Sequence, residues 1–174
     1  MKDVKLKLIS ELIKNSRRSD RELAKAVGVS QPTVSRLIKQ LEKDGIIKEY
    51  TIIPDYVKLG YKVAAMTLVK LKEGLGEKDV LEARKVAQKD FEKAPTEIIM
   101  FERGIGHGFT GVIVSLHKDY SAYNKLITMT KQYPFVDHTA TINFLIDLED
   151  KIHYRPLTFR TLAENLLTLE EKEN

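Results

Sequence analysis

Gln31, Thr33, Ser35, Arg36, Lys39 and Lys43 lie outside the apolar series Val34, Leu37, Ile38 and Leu41, which recurs at i, i+3, i+4 and i+7 and so predicts one helix with two unlike faces. Amide, hydroxyl and guanidinium groups near a helix N-terminus can pair with base edges in a major groove, and lysines further along suit phosphates. Arg18 and Arg21, just upstream, add to the cationic set. Other chemistries are poorly represented. With no cysteine, disulfides, thiolate metal sites and cysteine nucleophiles are excluded. The four histidines (His107, His117, His138 and His153) show no i, i+4 pairing, so no metal site, catalytic residue or cofactor is expected.

The elements that must hold this face are short and strongly punctuated. Ser19 followed by Glu22 has the form of a capping box, and Leu23, Ala24 and Val27 then make one apolar stripe. Gly28 stands where a helix must end and the chain reverse. Ser30 is placed to cap the next helix, with Pro32 in its first turn, where a missing N–H costs little. Upstream, Val4, Leu8, Ile9, Leu12 and Ile13 predict a third helix from Asp3 to about Asn15, completing a small core. Downstream of Gly45, IIKEYTII is β-branched and aromatic with charges interleaved, which predicts a hairpin or wing packed beside the helices.

Charge placement points to a polyanion partner for this half. Residues 1–60 hold 13 Lys+Arg against 8 Asp+Glu, whereas residues 61–174 hold 16 against 17. Lysines and arginines that neutralise phosphates release condensed counterions, so a basic excess confined to the helical segment favours nucleic acid there. No apolar run approaches the ~20 residues that cross a bilayer, and no signal peptide opens the sequence, so a cytoplasmic location without membrane partners is expected.

The order EL-x-K-x-VGVS-x-x-TVSR-x-x-x-LE-x-DGIIKEYTIIPDYVKLGY, from Glu22 to Tyr61, resembles the winged helix-turn-helix and linker of the Lrp/AsnC (feast/famine) transcriptional regulators. The resemblance implies that the helix from Gln31 enters the major groove of double-stranded DNA, and that a linker leads to a domain of β-α-β-β-α-β order. The remaining pattern agrees independently. Strands are predicted at 63–71, 97–103, 109–116 and 138–147 and helices at 77–93 and 120–133, the first helix offering Val80, Leu81, Val86, Ala87 and Phe91 for packing. An α+β class follows: an N-terminal winged helix-turn-helix domain (1–54), a linker (55–62), a ferredoxin-like oligomerisation and effector domain (63–150) and a C-terminal helical extension (151–174) with Leu162, Leu166, Leu167 and Leu169.

Two features of the second half bear on partners. The predicted strands are apolar on both faces, and two helices can cover only one, so the other face is expected to meet a second copy in a homodimer or higher oligomer. RGIGHGFTG concentrates Gly104, Gly106 and Gly108 around His107, which reads either as a hairpin loop with a bulge or as a backbone cradle for a small-molecule effector. The family carries an acidic Gly-Asp-x-Asp-like motif in this region, associated with amino-acid effectors. Here no acid occurs between Gly104 and Leu116, which disfavours an effector whose ammonium needs a carboxylate.

The leading expectation is therefore a non-enzymatic, sequence-specific DNA-binding regulator. Two alternatives stand beside it: a tetrapyrrole (haem-precursor) decarboxylase on the same two-domain layout, and a DNA-coating protein of low sequence preference. The first lacks a His-Tyr-Asn-rich strand in this sequence.

Overall fold

The computed structural model describes residues 2–91, 97–152 and 154–171. The chain divides into two compact units, Met1–Ile53 with Tyr154–Asn174, and Pro54–His153.

The first unit contains α1 (Lys2–Lys14), α2 (Asp20–Val27) and α3 (Gln31–Lys43). Their apolar stripes meet in one core of Leu8, Leu12, Leu23, Ala24, Val34, Leu37 and Leu41, with Val4, Ile9, Val27 and Ile38 packed around it. Full burial of each such aliphatic side chain contributes about 1.5–3 kcal/mol, so this cluster is the main support of the helix pair. The C-terminal helix α6 (Arg160–Glu171) packs on α1. At that crossing two small buried residues meet, and Ser10 Oγ donates to the Ala163 carbonyl at 2.8 Å.

Residues 46–53 form no strand, which departs from the expected hairpin. Ile47 packs on the core and its N–H reaches the Leu41 carbonyl at 3.1 Å, but Ile46, Tyr50, Ile52 and Ile53 are exposed. A two-stranded ribbon is marginal in water, and among the described residues no further strand borders this segment to stabilise one.

The second unit is a four-stranded antiparallel sheet of β1 (Val63–Val69), β2 (Ile98–Gly106), β3 (Phe109–His117) and β4 (Ile142–Asp147). Strand order is β2-β3-β1-β4. Helices α4 (Glu77–Phe91) and α5 (Tyr120–Thr130) follow β1 and β3, giving the ferredoxin-like order. Asp119 caps α5, accepting from the Ala122 N–H at 2.7 Å, and the helix buries Tyr123 and Leu126. The predicted ends at Leu71, Tyr133 and His138 each overran the observed element by two to four residues. The predicted helix end at Lys93, the side chains of Phe91 and Leu169, and His153 lie outside what is described.

Pairing register sorts the strands into two faces. Ala65, Thr67, Ile113 and Ser115 are buried on the inner face, under α5. On the outer face Met66 lies between Val114 and Phe144, and Leu68 between Val112 and Ile142; Phe144, Ile142, Ile146, Met66 and Met100 are all exposed.

Candidate nucleic-acid interface

The helix pair is built by local signals that the structure realises in detail. Ser19 Oγ accepts from the Glu22 N–H at 3.3 Å while the Glu22 carboxylate accepts from the Ser19 N–H at 2.7 Å. Those two bonds satisfy amides that the start of α2 would leave unpaired. The Ser19 hydroxyl also donates to the Glu22 carboxylate at 2.7 Å, and this bond with the one from the Ser19 N–H holds the Glu22 carboxyl below its ordinary range, with Arg18 adding to the effect. Gly28 ends α2 at φ 80°, and its N–H returns to the Ala24 carbonyl at 2.9 Å. An L side chain would strain that left-handed turn, so glycine is required there.

Ser30 occupies the N-cap position of α3 but makes no side-chain cap bond, contrary to expectation. Its hydroxyl pairs with the Thr33 hydroxyl at 2.8 Å instead. The physical reason lies in Pro32: the second helical residue has no N–H to offer, so one of the two donors that an N-cap oxygen normally takes does not exist.

Arg36, Lys39 and Lys43, at spacings of three and four, form an exposed stripe opposite the buried Val34, Leu37 and Leu41. Gln31 is exposed at the helix start, and Thr33 and Ser35 are half-buried beside it. Arg36, Lys39 and Lys43 have no ion-pair partner among the described residues, so their charge is available to an outside anion. Arg21 is exposed on α2 and likewise unpaired among the described residues. Arg18 differs: it is half-buried and ion-paired to Glu11 of α1, so its first role is to tie the loop to that helix. Tyr50 donates to Glu42 at 3.0 Å, and partial burial together with that carboxylate pushes its hydroxyl up to about 12.

The glycine segment is a tight hairpin tip. Gly106 pairs with Phe109, and the two residues between them, His107 and Gly108, both have positive φ, 46° and 80°. Positive φ at both central residues is the signature of a two-residue turn matched to strand twist. The pairing shifts register between Arg103 and Gly106, the bulge that one of the two sequence readings anticipated. Gly104, Gly106, His107 and Gly108 all line one large cavity of the second unit, together with residues of α4 and the inner sheet face. That cavity had no sequence signal strong enough to be read.

A capped helix pair with a cationic outer face, followed by a ferredoxin-like sheet unit, defines a class of two-domain DNA-binding proteins. Comparison with known proteins agrees. A winged helix-turn-helix DNA-binding family profile matches residues 1–48. LrpC of Bacillus subtilis is 42% identical over 69 residues, 40% of this chain and 48% of LrpC; its structure superposes with a TM-score of 0.65 at 27% identity, covering 87% of this chain and 96% of the other. A helix-turn-helix-type regulator of Pyrococcus furiosus is 38% identical over 106 residues, 61% of this chain and 66% of the relative. A Neisseria meningitidis transcriptional regulator in complex with L-Met shares the fold at 19% identity, with a TM-score of 0.70 over 91% of this chain and 97% of that one. In sequence over its N-terminal part and in fold over most of its length, the chain is thus similar to LrpC and regulators of its type. Its sequence matches span about half to two thirds of the length of these curated relatives.

Proposed function

We propose that this chain is a sequence-specific DNA-binding transcription regulator, working as a twofold dimer or higher oligomer in the cytoplasm and modulated by a small molecule held in its second unit. The observation that carries the reading is the stripe of Arg36, Lys39 and Lys43, without ion-pair partners among the described residues, on a helix held by a buried core and preceded by the capped helix α2. Gln31, Thr33, Ser35 and Arg36 stand nearest the N-terminus of α3, where a recognition helix meets base edges; Lys39, with Arg21, suits the phosphates, and Arg18 follows only if it leaves Glu11.

Dimerisation is supported by the outer sheet face, whose apolar residues are exposed on β1, β2 and β4 and half-buried at Val112 and Val114 of β3. Contiguous apolar surface of this kind marks an interaction site, and a second copy presenting the same face is self-complementary under a twofold axis. Such a dimer offers two recognition helices to half-sites one helical turn, or a multiple, apart.

The test is Arg36→Ala, assayed by electrophoretic shift at fixed salt against a site selected from random DNA and against unselected DNA. A bidentate contact to guanine is worth about 1–3 kcal/mol of discrimination, so the specific complex weakens by about tenfold or more while unselected DNA changes little. Equal losses on both would assign Arg36 to phosphate and favour the low-specificity coating role.

A further inference from the structure

Between α4 and the inner sheet face lies a cavity of about 1310 Å3. Small-molecule sites usually enclose about 300–1,000 Å3, so this one is ample for a single organic ligand. From α4, Val80, Ala83, Val86 and Ala87 line it on one helix face, while Leu81 is 52% exposed. Across from them the sheet contributes Phe101, Ile113 and Gly111.

The walls are apolar in effect. Threonines along the lining spend their hydroxyls on their own chain: Thr110 on the Val69 carbonyl (3.3 Å), Thr130 on that of Ile127 (2.8 Å) and Thr141 on that of Asp137 (2.9 Å). The charge at the edges is mostly cationic, Lys70, Lys72, Arg84 and Arg103 against Glu73 and Glu102. Register places Arg103, opposite Gly111, on the face shared by Phe101 and Ile113, whereas Glu102 pairs with Val112 on the outer face. Arg84 sits one turn after Val80 on α4. Neither arginine has an ion-pair partner among the described residues, while Glu73 is held by Lys70 at 3.1 Å.

We infer that this cavity binds an apolar carboxylic acid lacking an ammonium group, its hydrocarbon body under α4 and its carboxylate at the rim that carries Arg84 and Arg103. Amino acids fit poorly, because their ammonium would meet this cationic rim with both nearby carboxylates engaged or turned away. The inference deepens the effector reading above, on which its regulatory half rests.

Calorimetric titration of the full chain with decanoate, decan-1-ol and decylamine tests it. Decanoate binds in the micromolar range, the alcohol about tenfold or more weaker for want of a charge-assisted contact, and the amine not at all. Ala87→Leu, which extends into the cavity, changes the affinities of decanoate and the alcohol together; Arg103→Gln, at an exposed side chain that leaves the fold intact, lowers decanoate affinity about tenfold without changing that of the alcohol. Decanoate affinity unchanged by both variants, or equal affinity for the amine, overturns the site. A parallel gel shift separates the two readings. Decanoate that binds as described without changing DNA affinity leaves the site and removes the regulation; absent binding beside intact DNA affinity removes the site and leaves the DNA reading.

Discussion

A lysine placed in the outer sheet face is the sharpest test of the proposed assembly. Val114 lies between Met66 of β1 and Met100 of β2, inside a surface that also carries Phe144, 64% exposed, and Ile146, 43% exposed. In an isologous dimer Val114→Lys buries two ammonium groups, one from each copy. With an effective penalty of several kcal/mol per unpaired buried ion, taken as about 3 kcal/mol after relaxation, the pair costs roughly 6 kcal/mol. At 1.4 kcal/mol per decade this weakens the dimer about ten-thousandfold, enough to take a nanomolar dimer to monomer at micromolar concentration. Val112→Lys acts less strongly, because Val112 pairs with Glu102 on the same face and that carboxylate can answer the new charge. The single protomer tolerates both, since the new side chain remains at its surface. Size-exclusion chromatography with light scattering, beside circular dichroism to confirm folding, reads the outcome. An intact, folded oligomer for both variants would refute the sheet-to-sheet arrangement.

Three further outcomes are expected. Ser10→Ala removes the buried bond to the Ala163 carbonyl and lowers stability by about 1 kcal/mol, whereas Ala163→Leu overpacks the same crossing at a cost of about 1–3 kcal/mol; urea midpoints compare them, and an unchanged midpoint for both would show that α6 does not depend on this contact. Burial holds the His117 imidazole below its ordinary value, against the pull of Glu97 and Asp119, so the folded chain binds that proton more weakly than the unfolded one. The associated stability is complete above about pH 6.5 and is lost as pH falls from there through the folded pKa; His117→Asn should flatten the drop in urea midpoint between pH 7.5 and 5.5, and an equally steep drop in the variant would assign the effect elsewhere. Calorimetric titration with the standard amino acids should give millimolar binding or none, and micromolar binding of any one, abolished by Gly106→Val, would mean that a carboxylate reaches the ligand from outside this protomer.

Local signals made the first unit legible. The Ser19–Glu22 pair and Gly28 act within one turn of their own backbone, and each appears in the structure with the bond or φ angle it implies. Ser30 misled because the cap depends on what the following residues can donate, and Pro32 removes a donor. The segment 46–53 misled for a related reason: β-branched residues favour a strand only where a partner strand exists. In the glycine segment the composition allowed a hairpin or a cradle, and only the positive φ of His107 next to Gly108 selects the two-residue turn.

The second unit was legible as a pattern but not as an environment. Alternation in β1 and β3 marked two apolar faces, yet which face the helices cover is a tertiary property, decided by where Tyr123 and Leu126 of α5 land. In α4 the sequence offered Val80 and Leu81 as near-equivalent packing residues one position apart. A helix rotates by about 100° per residue, so they cannot both face the sheet. The structure turns inward the stripe that holds Val80, Ala83, Val86 and Ala87 and leaves Leu81 exposed. The cavity under that stripe is bordered also by Thr130 at the end of α5, by the hairpin tip and by two arginines without an ion-pair partner among the described residues, and this lining is why the space reads as a site.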